Sequence, residues 1–229
     1  IINIFAFLKK FYYLFIFLKR HRDYIIFVHT PLASHLIRIC NFFLNMKIYY
    51  FVHGFRFHTK EKKIKYYINY FIEKILKYTT YAYITINNED YKIVKYYFKK
   101  KCIKVNGVGT DLLTKDISKE FEDKKLIIGV IAAYRKNKGY DKLLQIANNV
   151  RINKNIIFKC FGYDTHIKYS KTAKLLNLKN IIFNNFTKNI NYEITKFHIL
   201  LHLSEREGLS VAIINSLKHS VPVIAYNIL

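Results

Sequence analysis

Two carboxylates and a glycine follow an apolar segment near the end of the chain. The segment 198–203 leads into Ser204, and Glu205, Glu207 and Gly208 come soon after it. A helical pattern, a proline and another apolar segment then complete the order strand, turn, helix, strand. In an open parallel sheet, ligands bind at the carboxyl ends of the strands. A helix that begins near Gly208 would direct free backbone N–H groups and its positive end at an anion such as a diphosphate.

A basic loop earlier in the chain shows a similar arrangement. The apolar segment 126–133 leads into this loop, and Lys138 and Gly139 begin a segment with helical spacing. A lysine at the N-terminus of a helix is electrostatically unfavourable unless an anion binds there. This local conflict predicts a phosphate site at Lys138. Arg135 lies in the same loop and reaches that site only if the loop bends towards it; otherwise it is a solvated cation.

Histidines follow two strand-like segments in the first half of the chain. His53 ends the segment 48–53, where its imidazole would lie at the ligand edge of a sheet. His29 ends the preceding apolar segment in the same way. Each histidine also has a simpler interpretation, since His53 can merely end its strand and Pro31 can set the turn after His29.

Strand-length apolar segments alternate with helix-length segments along almost the whole chain. This alternation favours a parallel sheet covered on both faces. The predicted strands are 24–29, 48–53, 81–86, 103–105, 126–133, 156–161, 180–183, 199–203 and 221–225, and the clearest helices are 64–77, 89–98, 140–150 and 169–176.

The segment 110–125 is polar and has the weakest periodicity, which is typical of a linker between two α/β units. We therefore predict a first domain over 1–115, a linker over 116–123 and a second domain over 124–229. The chain begins with Ile and stops just after a predicted strand. We expect an internal piece of a longer protein, the alternative being a naturally short one.

The chain of 229 residues has 39 Lys and Arg against 15 acids, a formal net charge of +24. Such a charge attracts polyanions, although codon composition can also raise it, because Lys, Ile, Asn, Tyr and Phe are all abundant. Without a nucleic-acid-binding motif, an anionic membrane surface is the better expected partner. Lys9 and Lys10 interrupt the apolar segment 1–18, so an amphipathic helix is favoured over a membrane span.

The cysteines and three late histidines carry no recognisable site. The cysteines have no C-x-x-C spacing, which argues against a zinc site or a disulfide framework and favours core thiols in a reducing compartment. The histidines lack the spacing of metal ligands, so core or surface roles are expected. The residues are Cys40, Cys102, Cys160, His198, His202 and His219.

The segment 204–226 resembles the donor-binding signature of retaining nucleotide-sugar glycosyltransferases of family 4, which have two Rossmann domains in the GT-B fold. Glu207 matches the first acid of that signature, whereas the second acid, eight residues later, is replaced by Asn215. Lys138 matches a diphosphate-binding lysine of the family. The arginine that the family has five residues earlier falls on Ala133.

The resemblance implies an α/β fold of two Rossmann-like parallel-sheet domains that face a cleft, both incomplete in this chain. It also implies transfer of a sugar, with retention, from a nucleotide-sugar whose expected nucleotide is UDP. The implied acceptor is a polyprenyl-diphosphate-linked saccharide or polysaccharide in capsule, exopolysaccharide or lipopolysaccharide assembly. The expected location is cytoplasmic, peripheral on the inner face of the cell membrane.

The resemblance also implies residue roles. Lys138, with the backbone of Gly208 and Leu209, would hold the diphosphate and stabilise charge on the leaving nucleotide. Glu207 would orient the donor sugar through its hydroxyl groups, and His53 would lie near the reacting centre. No protein nucleophile is expected, because the leaving phosphate would help to deprotonate the acceptor.

Three further residues are expected at the donor site. Asn215 stands where a glutamate would bind the ribose, and Gly162 belongs to a turn where the nucleotide approaches the backbone. Arg135 is the nearest substitute for the missing arginine. No metal or other cofactor is expected, since lysine and helix ends would take its place.

Two other functions stay open. Ala133, Asn185 and Asn215 depart from the family pattern, so the chain can be a non-catalytic or degenerate glycosyltransferase fragment. The net charge also allows a basic α/β module that binds a membrane surface or nucleic acid.

Overall fold

The computed structural model of the chain describes residues 4–57, 62–107, 109, 125–164 and 166–227. The chain forms two compact units, residues 1–109 and 110–229. The predicted linker over 116–123 lies outside the described residues.

The first unit contains a four-stranded parallel sheet with the strands in the order β1-β2-β3-β4. Its elements are α1 (Ile4–Arg20), β1 (Ile26–Val28), α2 (Pro31–Leu44), β2 (Ile48–Val52), α3 (Lys63–Leu76), β3 (Ala82–Thr85), α4 (Asn88–Lys92) continued by a π-helical turn (Ile93–Phe98), and β4 (Cys102–Lys104).

The core of the first unit follows from the pattern of its central strand. Ile48, Tyr50 and Val52 alternate along β2 and are all buried. They pack with Val28 of β1 and with Leu18, which α1 directs towards the same cluster. The amphipathic pattern predicted for the start of the chain is therefore confirmed as a helix that packs one side on the unit's core.

A buried ion pair joins α2 to α3. Arg38 Nη1 and Nη2 donate to the two carboxylate oxygens of Glu73, each over 2.8 Å, and both side chains are almost fully buried. His35 Nε2 lies 3.0 Å from Glu73 Oε1, and the Arg38 guanidinium covers the ring of Tyr50 at 4.3 Å. Burial alone would raise the pKa of the Glu73 carboxyl, but the hydrogen bonds from His35 and Arg38 and the Arg38 charge lower it.

The second unit contains a five-stranded parallel sheet with the strands in the order β7-β6-β5-β8-β9. Its elements are β5 (Leu126–Ile131), α5 (Tyr140–Asn149), β6 (Ile156–Phe161), α6 (Ile167–Leu175), β7 (Ile181–Asn184), α7 (Ile190–Thr195), β8 (Ile199–His202), α8 (Val211–Lys218) and β9 (Val223–Ala225).

This strand order contains a reversal. The chain places β6 and then β7 on one side of β5, and returns to place β8 and β9 on the other side. The connections after β5 and after β8 therefore leave the sheet in opposite directions. At such a point a crevice opens beyond the carboxyl ends of the two strands, and ligands of open α/β sheets bind there.

Apolar clusters cover both faces of this sheet. Ile128 and Val130 of β5 face one cluster, while Ile127 and Ile131 face the other. The predicted apolar face of α5 is confirmed, since Leu143 and Leu144 are buried and Ile146 packs against the same cluster. Gly129 has no room for a side chain, because a Cβ there would lie 2.0 Å from the Phe197 ring. Each face is thus closed by helices, as the near-continuous apolar strands predict.

All nine predicted strands and the parallel pairing are confirmed. Most differences are small shifts at element ends, as at 221–225, where the strand begins only at Val223, after Pro222. The segment 89–98 is helical in two parts, an α-helix and a π-helical turn.

The predicted core thiols and the helix lengths can also be compared. Cys40 and Cys160 are buried, Cys102 is half-buried, and all three are free thiols. Among the helices of the described residues, none combines the length and the apolar character that crossing a membrane requires.

Candidate functional site

Lys138 and Glu207 meet at the reversal point between β5 and β8. Lys138 ends a short 3₁₀ turn after β5, and Glu207 lies in the loop after β8. Lys138 Nζ lies 2.5 Å from Glu207 Oε1, and the two side chains are 20% and 21% exposed. Residues far apart in sequence therefore form a charge-assisted hydrogen bond that a ligand can still reach.

The two loops that carry this pair are joined by their backbones. Glu205 N donates to Asn137 O over 2.9 Å. Gly139 has a φ of +79°, and a Cβ on it would lie 2.2 Å from Leu203 O. A glycine is required here for its left-handed conformation and for the close approach of the loop to β8. Both features hold Lys138 against the end of β8.

The helix after β8 begins at Val211, so the predicted helix start near Gly208 is wrong by three residues. Ser210 is the N-cap residue, and its Oγ accepts a hydrogen bond from Ile213 N. A serine hydroxyl can satisfy an N–H group of the first turn, which favours a helix start at this position. Gly208 and Leu209 lie half-buried in the loop before the cap.

An apolar cavity of about 200 Å³ opens at the carboxyl ends of β5 and β6. Tyr163 and Phe186 belong to its lining, keep 59% and 46% of their surface exposed, and stack with their ring centroids 4.0 Å apart. The other lining residues are Ile131, Ala132, Ala133, Phe161, Gly162, Thr187, Ile190, Ile194, Val211, Ala212 and Asn215.

Two residues predicted for the donor site lie on this cavity. Asn215 reaches it from the second turn of α8, and Gly162 reaches it from the end of β6. A Cβ on Gly162 would lie 1.9 Å from Ala132 O, so close packing of two backbones already requires this glycine. Ala133, at the position of the family's arginine, lines the cavity with a small apolar side chain.

Arg135 is engaged elsewhere in the loop after β5. Its Nε lies 2.6 Å from Asp164 Oδ2, and the two side chains are 65% and 42% exposed. Hydrogen bonding to Asp164, and the charge of that carboxylate, raise the pKa of Arg135. The structure thus joins Arg135 to the loop after β6 and does not bring it to Lys138 or Glu207.

His202 is a residue of this site that the sequence analysis missed. It is the last residue of β8 and is buried, as expected for a core histidine. Its Nε2 nevertheless lies 3.6 Å from Glu207 Oε1, the oxygen that accepts from Lys138. Burial and the Lys138 charge lower the pKa of His202, while the Glu207 charge raises it. Its place at the carboxyl end of a strand was the available signal.

In the first unit, His53 pairs with His29 at the carboxyl ends of β2 and β1. His29 Nδ1 lies 3.1 Å from His53 Nε2, and the His53 ring stacks on Phe51. Both histidines are exposed. Burial and the neighbouring His29 lower the pKa of His53, which favours a neutral imidazole.

Metal ligation has no clear candidate in the part of the chain that the structure describes. No group of three or more His, Cys, Asp or Glu side chains there lies close enough together to hold an ion. The charged chemistry at the edge of the second sheet therefore comes from Lys138, Glu207 and His202.

Comparisons with known proteins agree with this geometry. Residues 114–229, about half of the chain, match the family described as glycosyl transferases group 1. The chain belongs to this family. A similar glycosyltransferase-length relative is an uncharacterised 41.2 kDa protein in the cps region of Klebsiella pneumoniae, 27% identical over 227 residues. That alignment covers 92% of this chain and 62% of the relative.

Solved structures show the same fold. S. aureus TarM, in complex with Fondaparinux, alpha-GlcNAc-glycerol and UDP, has a TM-score of 0.75 at 16% identity, covering 93% of this chain and 44% of TarM. Anabaena Alr3699/HepE, in complex with UDP, has a TM-score of 0.71 at 16% identity, covering 94% and 62%. This glycosyltransferase therefore has the parallel-sheet, Rossmann-like units of the GT-B fold, and it spans less than two thirds of these relatives.

Proposed function

We propose that this protein is a retaining family 4 glycosyltransferase that takes its sugar from a UDP-sugar. The observation that carries the proposal is the Lys138–Glu207 pair at the reversal point of the second sheet, in the same unit as an apolar cavity. These features supply a cation for a diphosphate, a carboxylate for sugar hydroxyls and an apolar surface for a base. UDP in the TarM and HepE structures supports the choice of nucleotide.

The diphosphate would bind at Lys138. The Nζ group is partly exposed and already forms one charge-assisted hydrogen bond, so a phosphate oxygen can add to or replace Glu207 as its acceptor. The loop backbone at Gly208 and Leu209 would supply N–H donors. Binding at this point stabilises the charge that develops on the leaving nucleotide.

The nucleoside would occupy the apolar cavity. The exposed rings of Tyr163 and Phe186 offer stacking surfaces for a planar base, and base–aromatic stacking contributes about 1–3 kcal/mol. Asn215 lies on the same cavity and would accept a hydrogen bond from one ribose hydroxyl. Its amide provides one acceptor oxygen without charge, where a glutamate would provide two with charge.

In the reaction, the acceptor hydroxyl oxygen would form a bond to the anomeric carbon as the bond from that carbon to the phosphate oxygen breaks. Both events occur on one face of the sugar, so the configuration is retained. The hydroxyl proton would pass to a leaving phosphate oxygen, and Glu207 would hold the sugar hydroxyls in place. His53, neutral beside His29, would contact the donor or acceptor from the first unit.

The proposed acceptor is a polyprenyl-diphosphate-linked saccharide in capsule or lipopolysaccharide assembly. The cps-region location of the Klebsiella relative supports a role in surface polysaccharide synthesis. Such an acceptor would place the enzyme on the cytoplasmic face of the membrane.

An anionic membrane is the proposed partner of the first unit. Apolar and aromatic side chains remain exposed on α1 and α3, where lysines accompany them. Rings at the interface and cations near anionic headgroups are the features that bind peripheral helices to membranes. The exposed residues are Leu8, Tyr12, Tyr13, Phe17, Ile64, Tyr67, Ile68 and Phe71.

The donor assignment is tested by UDP binding. Excess UDP should raise the melting temperature of the protein by mass action. Lys138→Ala should weaken UDP binding by about 1.5–3 kcal/mol, the contribution of a hydrogen bond to a charged group. Lys174→Ala, which removes an exposed lysine of α6, is the matched control. Equal protection of wild type and Lys138→Ala would contradict the diphosphate site.

Turnover separates an enzyme from a degenerate relative. A radiolabelled UDP-sugar should be hydrolysed or transferred by wild type, and Glu207→Ala should abolish this reaction while it leaves UDP binding largely intact. UDP binding without any turnover would favour a non-catalytic protein. Salt-sensitive RNA or lipid binding without protection by UDP would favour a basic binding module.

A further inference from the structure

His202 presents a buried nitrogen to the site without a hydrogen-bond partner. Its side chain is 5% exposed, and within the described residues Nε2 has no partner at hydrogen-bond distance. Glu207 Oε1 lies just beyond that distance, at 3.6 Å. The carboxylate is thus bound to Lys138 on one side and stands close to His202 on the other.

A buried polar nitrogen without a partner is destabilising, so a small movement that satisfies it is favourable. Glu207 lies in a loop and is partly exposed, whereas His202 is held in β8 between β5 and β9. The carboxylate is therefore the group that can move. A shift of Glu207 by less than 1 Å would bring Oε1 within hydrogen-bond distance of Nε2.

We propose that His202 is a positioning residue for Glu207, and this rests on the proposed function. When a diphosphate binds Lys138, the lysine is shared with or withdrawn from Glu207. His202 Nε2–H then donates to Glu207 Oε1 and keeps the carboxylate directed at the donor sugar. Without His202, the carboxylate would lose its partner at the moment the donor is bound.

The charges around His202 give this exchange of partners a measurable consequence. Glu207, in the loop after its own strand, and Lys138, in the turn before α5, are the charged groups that act on the imidazole. The lysine charge opposes protonation of His202, and a bound diphosphate neutralises that charge. UDP binding should therefore raise the pKa of His202 and be accompanied by proton uptake near neutral pH.

The experiment compares two substitutions with a control in the full chain. His202→Leu removes the donor, whereas the side-chain amide of His202→Gln can replace Nε2–H but cannot titrate. His219→Leu removes another buried histidine, at the C-terminal end of α8. For each protein, calorimetry in two buffers gives UDP affinity and proton uptake, and a radiolabelled UDP-sugar gives the turnover rate.

We expect His202→Leu to lower turnover about tenfold or more, as for loss of a hydrogen bond to a charged group, with UDP affinity within about threefold of wild type. His202→Gln should recover most of the turnover but neither variant should show the wild-type proton uptake. His219→Leu should keep both. Turnover of His202→Leu equal to wild type, or unchanged proton uptake, would overturn the proposal. Failure of wild type itself to bind UDP would instead remove the proposed function, and His202's role with it.

Discussion

Replacement of Glu73 by Gln should strongly destabilise the first unit. Glu73 accepts two hydrogen bonds from Arg38, each over 2.8 Å, and a third contact comes from His35. Both members of the ion pair are almost fully buried, with side chains 0% and 4% exposed. The substitution keeps the size of the side chain but leaves the Arg38 charge buried without a counter-charge.

The expected loss follows from this geometry. Removal of one partner from a buried ion pair costs about 3–5 kcal/mol, a large part of the 5–15 kcal/mol that stabilises a typical domain. The surface pair between Arg135 and Asp164 should contribute less than about 1 kcal/mol by comparison. A double variant, Arg38→Met with Glu73→Leu, should recover much of the stability, because apolar residues of similar size can replace a buried ion pair.

The pH dependence has a definite sign. The folded-state pKa of Glu73 is lowered, so its stabilising effect is present above the unfolded-state pKa of about 4.3 and is lost as the pH falls through the lower folded-state value. The difference between wild type and Glu73→Gln should therefore be full at pH 7 and shrink below about pH 4.

Hydrogen exchange measured by mass spectrometry tests this prediction locally. Peptides from α2 and α3 should exchange about 100-fold faster or more in Glu73→Gln, which is the opening expected for a loss of 3 kcal/mol or more. UDP binding by the second unit should be retained. Glu89→Gln, at an exposed glutamate of α4, is the control. A change of less than 1 kcal/mol in Glu73→Gln, or a double variant as unstable as the single one, would refute the reasoning.

Three further predictions concern the site and the surface. Gly139→Ala should weaken UDP binding and lower the melting temperature, because its Cβ would overlap Leu203 O; Gly109→Ala, at a similar φ of +78° without a close neighbour, controls for backbone strain alone. Asn215→Glu should tighten UDP binding by about 1 kcal/mol in calorimetry, and unchanged or weaker binding would show that this position does not face the ribose. Wild type should sediment with anionic vesicles but not neutral ones, less so in high salt and after Phe17→Ser, whereas equal sedimentation would leave codon composition as the better explanation of the charge.

The strand and helix alternation was predictable because it is written in local patterns. Each strand of the second sheet is a short apolar segment, and the α5 stripe of Leu143, Leu144 and Ile146 has helical spacing. The position of Lys138 and Glu207 at the carboxyl ends of strands followed from the same patterns. Their direct contact did not, because it depends on β8 being placed next to β5.

Other features of the site were beyond the sequence for reasons of competition between local signals. The helix after β8 has both a glycine and a serine near its start, and only the structure shows that Ser210 caps it. His202 reads as one more apolar-strand residue, and its approach to Glu207 depends on the path of the following loop. Arg38 and Glu73 lie on different helices, so their pairing has no short-range signature.

The strand order of the second unit also has a consequence for the growing chain on the ribosome. β5 is made first and can pair with β6 and β7 soon afterwards, but its other edge stays open until β8 has been made, almost 70 residues after β5 ends. An open, apolar strand edge is a template for pairing with other chains. The nascent protein therefore has an interval in which self-association competes with completion of the sheet, and the Lys138–Glu207 contact can form only after that interval has passed.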